Sequence, residues 1–320
     1  MGNERELMVK IALAKKEIAR VLVGQLDLVD KLLIAIASGG HVLVEGVPGL
    51  AKTLAIRTLS RVSGCTFSRI QFTPDLLPTD ITGLVSYSES GGERVMKGPV
   101  FANFVLADEI NRAPPKVQSA LLEAMQEGQV TIGKETYPLP RPFFVMATQN
   151  PLESLGTYPL PYTQLDRFLF KVHVGYPTVE DEQLILDNNI STRRFEDYGI
   201  KPVLKMSDLL ELQAQAACVK VPDKVKAHIV DLVDATRNPD EYHLHKSRSV
   251  EWGVSARATL ALLGCSRAKA MLSGRKEVDM GDVKFVAPDI LNHRLLINYE
   301  GQAEGVKPGD VVNEILAKVK

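Results

Sequence analysis

A loop of small residues between an apolar run and a helical pattern is the first feature of this chain that could do chemistry. The loop consists of Gly46, Val47, Pro48, Gly49, Leu50, Ala51, Lys52 and Thr53, and Leu54 continues into the helical pattern. Strand, loop and helix start form a phosphate-binding context, because backbone N–H groups and the positive end of the helix converge on the anion. Lys52 would reach the outer phosphates, and the hydroxyl of Thr53 would bind Mg²⁺.

A second apolar run, Phe104–Ala107, ends in two acidic residues. Such a run predicts a strand covered on both faces. Asp108 would hold the metal ion at the end of this strand, and Glu109 would polarise a water molecule. One residue departs from the usual loop pattern, since Ala51 stands before Lys52 where Gly is usual and Ala tolerates a positive φ poorly. Together the two segments predict an ATP hydrolase.

The elements that must position these residues alternate along residues 1–177. Five apolar runs predict strands: His41–Glu45, Cys65–Phe72, Phe104–Ala107, Phe143–Thr148 and Phe168–Val174. Helical patterns lie between them, as at 117–126, and a further helix is expected at 4–22. This alternation predicts an α/β fold with a mostly parallel sheet between helices. The loop and the acidic pair would then meet at the carboxyl ends of the strands.

The rest of the chain shows a different pattern. Strand signals almost vanish after residue 177, so residues 178–320 are predicted to form an all-helical domain. Two stretches within the first domain, about 84–97 and about 129–138, read as strand, turn and strand. They are either ordinary surface hairpins or insertions that make contacts.

Three further side chains could complete a hydrolytic site. Asn150 follows the fourth apolar run and would either hold the attacking water or form an Asx turn before Pro151. Arg167 precedes the last strand, and Arg257 begins a helix in the second domain. Each arginine would be either a solvated charge or a cation that compensates the transferred phosphoryl group. Arg257 could reach back to the γ-phosphate and couple the two domains.

The composition of the chain indicates which classes of protein it can belong to. The net charge of −1 gives no electrostatic case for nucleic-acid binding, and the apolar fraction of 45% is that of a soluble globular protein. We expect a cytoplasmic protein without membrane insertion, because no apolar stretch is long enough to span a bilayer and no secretion signal is visible. The three cysteines are expected to be free thiols. His243 and His245 lack the further ligands of a metal site.

The motifs resemble those of the MoxR family of AAA+ ATPases. The resemblance rests on 46–53, on Asp108-Glu-Ile-Asn-Arg-Ala-Pro-Pro, on Ala147-Thr-Gln-Asn-Pro, on Leu165-Asp-Arg-Phe and on 253–258, and it is especially close from Arg69 to Gly128. It implies a P-loop NTPase (AAA+) core with a five-stranded parallel sheet and a helical lid domain. Two positions depart from the family pattern, with Tyr162-Thr163 where Glu-Ala is more frequent and Ala256 where Pro is common.

The resemblance implies roles for the individual residues. Lys52, Thr53, Asp108 and Glu109 would form the core of a site for ATP and Mg²⁺, with Asn150 as sensor 1 and Arg257 as sensor 2. Arg167 would be an arginine finger that acts on the neighbouring subunit of a ring, expected to be a hexamer. Val23, Gly24 and Gln25 would contact the adenine. Ala51 matches the family's own variant of the loop.

The resemblance also implies an output. The hairpins correspond to the helix-2 insert and the hairpin before sensor 1, which are expected to act on a client. Chaperone-like maturation, activation or metal-cofactor insertion of client complexes would follow, in some cases with a von Willebrand factor A-domain partner. Three alternatives stay open: a magnesium-chelatase-type motor, a motor acting on DNA, and an ATP-gated binding scaffold. An activator of the enhancer-dependent bacterial polymerase is excluded, because Gly-Ala-Phe-Thr-Gly-Ala is absent.

Overall fold

The computed structural model describes residues 2–46, 52–87, 93–151, 156–187 and 195–319, with the side chains of residues 2–4 and 87 left out. Within these residues the strands are β1 (Val42–Gly46), β2 (Phe67–Gln71), β3 (Gly83–Tyr87), β4 (Glu93–Lys97), β5 (Phe104–Asp108), β6 (Gln129–Ile132), β7 (Glu135–Pro138), β8 (Phe144–Gln149), β9 (Phe170–Val174), β10 (Val250–Trp252) and β11 (Leu296–Ile297).

The α-helices are α1 (Gly2–Ala19), α2 (Leu26–Ala37), α3 (Lys52–Val62), α4 (Pro78–Thr82), α5 (Pro115–Glu127), α6 (Tyr162–Leu165), α7 (Val179–Asp187), α8 (Met206–Ala217), α9 (Asp223–Ala235), α10 (Ala256–Leu272), α11 (Met280–Leu291), α12 (Tyr299–Ala303) and α13 (Pro308–Lys318). Short 3-10 turns lie at Ile110–Arg112, Phe195–Tyr198, Lys246–Ser249 and Asn292–Arg294. No helix of the described ranges is long and apolar enough to cross a membrane.

Five parallel strands form the central sheet in the order β2-β5-β8-β1-β9. All five predicted strands are present in this sheet. The continuous apolar runs of β5 and β8 occupy interior positions and are buried, as expected for strands covered on both faces. β2 is an edge strand and is half exposed. The carboxyl ends of β5, β8 and β1 therefore lie side by side, with β8 between the end of β1 and the end of β5, which carries Asp108.

Both predicted hairpins are present. β3 pairs antiparallel with β4, and β6 pairs antiparallel with β7, as two separate ribbons outside the main sheet. The turn of the first hairpin, at 88–92, lies outside the described residues. The two ribbons pack together, since a Cβ built on Gly133 would lie 2.8 Å from Cγ2 of Val85.

The N-terminal helix differs from its prediction. It was expected at 4–22 and instead ends at Ala19. A hydrogen-bonded turn follows, in which the N–H groups of Val21 and Leu22 both donate to the carbonyl oxygen of Ile18. Gly24 follows with a φ of 73°, a left-handed conformation that a helix cannot continue through.

The part of the chain after residue 195 is helical apart from the short pair β10 and β11. The predicted boundary between residues 177 and 178 falls in the segment between β9 and α7. The helices after it pack against the first domain, because one continuous apolar core joins α1 and α2 to α8, α9, α10 and α11. The helical part thus lies against the α2 side of the sheet.

Candidate functional site

Lys52 lies at the carboxyl edge of the sheet. It is the first residue of α3, and its Nζ donates to the carbonyl oxygen of Gly46, the last residue of β1, at 2.5 Å. Burial lowers the pKa of Lys52, whereas the carboxylates of Asp108, Glu109 and Glu45 act in the opposite direction. The ammonium group therefore lies in the electrostatic field of all three carboxylates. Residues Val47, Pro48, Gly49, Leu50 and Ala51 lie outside the described residues.

Asp108 ends β5 and is held from two neighbouring strands. Its Oδ1 accepts a hydrogen bond of 2.7 Å from the hydroxyl of Thr148 on β8. Its Oδ2 accepts from Nη2 and Nε of Arg69 on β2, at 2.7 and 3.1 Å. These donors fix the carboxylate at the carboxyl edge of the sheet with an orientation set by the strands on either side.

Glu109 has a left-handed backbone, with a φ of 56°. This conformation is costly for a residue with a side chain, and such strain is frequent at functional sites. The N–H of Glu109 donates to Oγ1 of Thr148 at 2.9 Å, so the same hydroxyl ties both acidic residues to β8. Its carboxylate accepts from Nε2 of Gln71 at 2.8 Å and lies 3.2 Å from Nε of Arg112.

Three residues of this cluster were not predicted: Arg69, Gln71 and Thr148. Arg69 and Gln71 are two residues apart on β2, so their side chains lie on the same face of the strand. This spacing, on an edge strand beside β5, was the signal that could have identified them. Thr148 is a hydroxyl within an apolar strand and is almost fully buried. A buried hydroxyl requires a hydrogen-bond partner, and this requirement could have pointed to it.

Asn150 lies at the same edge of the sheet. It follows β8, the strand between β1 and β5, and it is buried. The register pairs Glu45 with Gln149 across β1 and β8, and Ala107 with Ala147 across β5 and β8. The amide is therefore next to the ends of both strands that carry the predicted nucleotide site.

The donors present at this edge fit a magnesium ion and a triphosphate. Asp108 supplies a carboxylate and Thr53, the second residue of α3, supplies a hydroxyl, both of the oxygen type that Mg²⁺ prefers. Lys52 supplies the cation for phosphate oxygens, and Leu54 continues the helix. Elsewhere in the described ranges no cluster of three metal-binding side chains is found, and His243 lies in a turn with a φ of 52°.

A cavity of about 640 Å³ lies beside Val23 and Gly24. It is lined on one side by 19–24 and Leu26, and on the other by Asp181, Leu184, Asp197 and Tyr198. Its size is within the range of small-molecule sites. Gly24 is in close contact with the opposite wall, since a Cβ built on it would lie 2.5 Å from Cγ of Asp181. Gln25 precedes α2 directly.

Arg167 and Arg257 lie at the other edge of the sheet. Arg167 precedes β9, whose register with β1 pairs Val42 with Phe170 and Gly46 with Val174. At the strand rise, roughly 13 Å separate the levels of Phe170 and Gly46. Nη1 of Arg257 lies 3.3 Å from Oδ2 of Asp166, the residue before Arg167. The structure therefore does not bring either arginine to Lys52 of the same chain.

This placement corrects one expectation for Arg257. We expected it to reach back to the γ-phosphate in its own subunit. The helical part instead packs on the α2 side of the sheet, and α10 begins beside the amino end of β9. Arg257 and Arg167 consequently lie together, apart from the edge that carries Asp108.

Comparisons with known proteins agree with this architecture. Residues 41–170 match the ATPase family associated with various cellular activities (AAA), and residues 243–315 match the AAA lid domain. The chain is 50% identical to Chaperone MoxR1 of Mycobacterium tuberculosis over 305 residues, which cover 95% of this chain and 80% of that protein. It is 31% identical to Protein MoxR of Paracoccus denitrificans over 309 residues, or 90% of this chain and 89% of that one.

A solved structure shows the same fold over the whole chain. The crystal structure of a protein from Cytophaga hutchinsonii is 46% identical and superposes with a TM-score of 0.93, covering 100% of this chain and 97% of that chain. The sheet order, the lid and the relatives lead to one assignment, and the chain belongs to the MoxR family of AAA+ ATPases.

Proposed function

We propose that the protein hydrolyses ATP with Mg²⁺ at sites shared between neighbouring subunits of a ring, taken to be a hexamer. The observation that carries this proposal is the cluster of Lys52, Asp108 and Glu109 at one sheet edge, with both carboxylates oriented by β2 and β8. Preorganised charges of this kind supply the larger part of catalysis in phosphoryl transfer.

Each residue of the cluster has a distinct role in the proposal. Lys52 binds the outer phosphates, and Asp108 with Thr53 holds Mg²⁺, which neutralises phosphate charge when bound. Glu109 accepts a hydrogen bond from the attacking water and turns its lone pair toward the phosphorus. Asn150 donates to the same water from the end of β8. The cavity beside Val23, Gly24 and Gln25 receives the adenine.

The position of the arginines supports a shared site. Both lie at the amino edge of the sheet, so neither can serve the nucleotide of its own chain without a large displacement. In a ring each chain presents this edge to the next, and Arg167 and Arg257 would compensate the charge on the neighbour's phosphates. Arginine fingers of this type contribute about 10³–10⁵ in rate, so isolated chains should hydrolyse ATP slowly.

We propose a chaperone-like action on protein clients as the output. Leu84 and Met96 on the hairpin β3–β4, and Leu77 just before α4, are exposed, at 42%, 55% and 59%. Neighbouring exposed apolar side chains are suited to contacts with another protein. The name of Chaperone MoxR1 supports the same class of action. Maturation or metal loading of client complexes, and a von Willebrand factor A-domain partner, belong to this proposal through the family resemblance.

Glu109→Gln tests the proposal. The amide keeps the shape of the carboxylate but accepts water protons poorly, so we expect unchanged ATP binding and hydrolysis slower by at least about 10²-fold. Lys52→Ala is the matched control, because it should lose ATP binding itself. The stalled Glu109→Gln ring should also retain client protein in a pull-down with ATP and release it with ADP. Steady-state hydrolysis at the wild-type rate would contradict the role of Glu109.

A further inference from the structure

Arg294 is a buried cation with an unusual set of acceptors. It lies at the end of the 3-10 turn after α11, and the whole residue is 2% exposed. Its guanidinium donates to Oδ1 and to the carbonyl oxygen of Asp166, at 2.8 and 3.2 Å, and to the carbonyl oxygens of Phe168, Leu169 and Ile290, at 2.5, 3.2 and 2.5 Å. Four of these five acceptors belong to the segment 166–169.

These contacts surround Arg167. The carbonyl groups before and after Arg167 are both fixed by the one guanidinium, and Nε2 of His293 also lies 3.2 Å from the carbonyl oxygen of Phe168. Tyr162, at the start of α6, donates its hydroxyl to the carbonyl oxygen of Arg294. The backbone of the candidate finger is therefore anchored to the lid of its own chain.

The side chain of Arg167 is not satisfied in the same way. Its Nε is buried and has no hydrogen-bond partner within the described part of the chain. A buried donor without an acceptor carries a desolvation cost, so no hydrogen bond at Nε holds this side chain within its own chain. The backbone of Arg167 is thus anchored more firmly than its side chain.

Asp166 connects this anchor to the second arginine. Its side chain is 12% exposed and receives Arg294 on Oδ1 and Arg257 on Oδ2. Ser255, which caps α10, donates to both carboxylate oxygens at 3.2 and 3.4 Å. Arg257 is 54% exposed on its side chain, and of these two cations it is the one open to an incoming ligand.

The two cations of Asp166 differ in how firmly they are held. Arg294 is enclosed and has five acceptors, whereas Arg257 contacts the carboxylate at the longer distance of 3.3 Å. Arg257 can therefore turn toward a phosphate while Asp166 keeps a buried partner, which avoids leaving an unpaired charge in the interior.

We propose that Asp166 and Arg294 are positioning residues for ATP hydrolysis, which hold Arg167 and Arg257 of one subunit as a pair that faces the nucleotide of the next. This inference rests on the proposed function. If the two residues only attached the lid to the sheet, their substitution would impair folding or assembly. It would not specifically slow ATP hydrolysis at the neighbouring subunit's site.

Mixed rings distinguish the two roles. Asp166→Asn removes the charge and keeps the shape, so these chains retain their own nucleotide site and lose the arginine pair. We expect hydrolysis at least about 10-fold slower with a Kd for ATP within about twofold of wild type. Mixing with Lys52→Ala chains, whose arginine pair is intact, should restore activity. In an equal random ring about one quarter of the interfaces join an intact site to an intact pair, which sets the expected recovery.

Two further results decide the proposal. In a chain that already carries Arg167→Ala and Arg257→Ala, Asp166→Asn should cause no further loss of kcat, because groups acting as a unit are not additive. A further loss of the same factor, or no recovery with Lys52→Ala chains, would overturn the proposal. If Asp166→Asn chains do not fold, Asp166→Glu keeps the charge, displaces it by one methylene, and carries the same mixed-ring test.

The failures are separable. A wild-type protein that neither binds nor hydrolyses ATP refutes the proposed function. The positioning role alone is refuted if the wild-type protein hydrolyses ATP and Lys52→Ala chains restore the activity of Arg167→Ala chains but not that of Asp166→Asn chains.

Discussion

Nε2 of Gln71 donates a hydrogen bond of 2.8 Å to Oε2 of Glu109, which orients the carboxylate that the proposed reaction turns toward water. Arg69, two residues earlier on β2, donates in the same way to Asp108. The edge strand therefore supplies one side chain that donates to each acidic residue at the end of β5.

Gln71→Leu should lower kcat about tenfold and leave the Kd for ATP unchanged. The substitution removes a neutral donor that orients Glu109 and leaves the contact of its carboxylate with Arg112. One lost hydrogen bond to a charged group is worth about 1.5–3 kcal/mol. Steady-state kinetics and equilibrium ATP titration check this. Ser68→Ala, on the same strand but at an alternate position, is the control and should leave kcat within about twofold. An unchanged kcat in Gln71→Leu would remove Gln71 from the site.

Gly24→Ala should weaken ATP binding by about tenfold. The new methyl group would lie 2.5 Å from Cγ of Asp181 and would push α7 away from the wall of the cavity. Gly274→Ala is a matched control, because Gly274 has nearly the same φ, 75° against 73°, with no atom within 4 Å of the added Cβ. Both variants should lose about 1–2 kcal/mol of stability from the left-handed backbone. Equal ATP affinity in the two variants would argue against an adenine site beside Gly24.

His41→Gln should make the free energy of unfolding decrease less steeply as the pH falls. His41 is buried between Met125 and Val145: the N–H of Val145 donates to Nδ1, so the proton is on Nε2 and faces the carbonyl oxygen of Met125. Burial lowers the pKa of His41 to about 4. The unfolded chain binds the second imidazole proton more readily than the folded chain does. The contribution of neutral His41 to the free energy of unfolding is therefore complete above about pH 6.5 and declines as the pH falls toward 4.

The full contribution corresponds to about 3 kcal/mol by linkage. The measurement is the free energy of unfolding at several pH values between 4.5 and 7, in wild type and in His41→Gln. The pKa of His293 is also lowered by burial, so the His41→Gln variant keeps the part of the pH dependence that comes from that residue. The difference between the two curves isolates His41, and parallel curves would contradict the prediction.

The strands, and the meeting of Lys52, Asp108 and Glu109 at one edge of the sheet, could be predicted because their signals are local. β5 and β8 are continuous apolar runs, and a strand covered on both faces requires such a run. The location of Lys52, Asp108 and Glu109 at one edge then agrees with the rule that ligands bind at the carboxyl ends of parallel strands.

The environment of the arginines could not be predicted, because it depends on contacts between residues far apart in the chain. Asp166 and Arg294 are separated by 128 positions, and nothing local distinguishes Arg294 from a solvated arginine. Placement of the lid on the α2 side of the sheet decides which edge Arg257 faces. Side-chain packing across the long apolar core sets that placement.

The measurement that tests the shared site most directly is hydrolysis by mixed rings. Arg257→Ala chains and Lys52→Ala chains are each assayed alone and then as equal mixtures, with Arg167→Ala chains treated in parallel. If both arginines act on the neighbouring subunit, each variant alone is nearly inactive and each mixture recovers up to about one quarter of the wild-type rate. If Arg257 or Arg167 served the nucleotide of its own chain, every site in its mixture would lack a group, and no recovery would contradict the account.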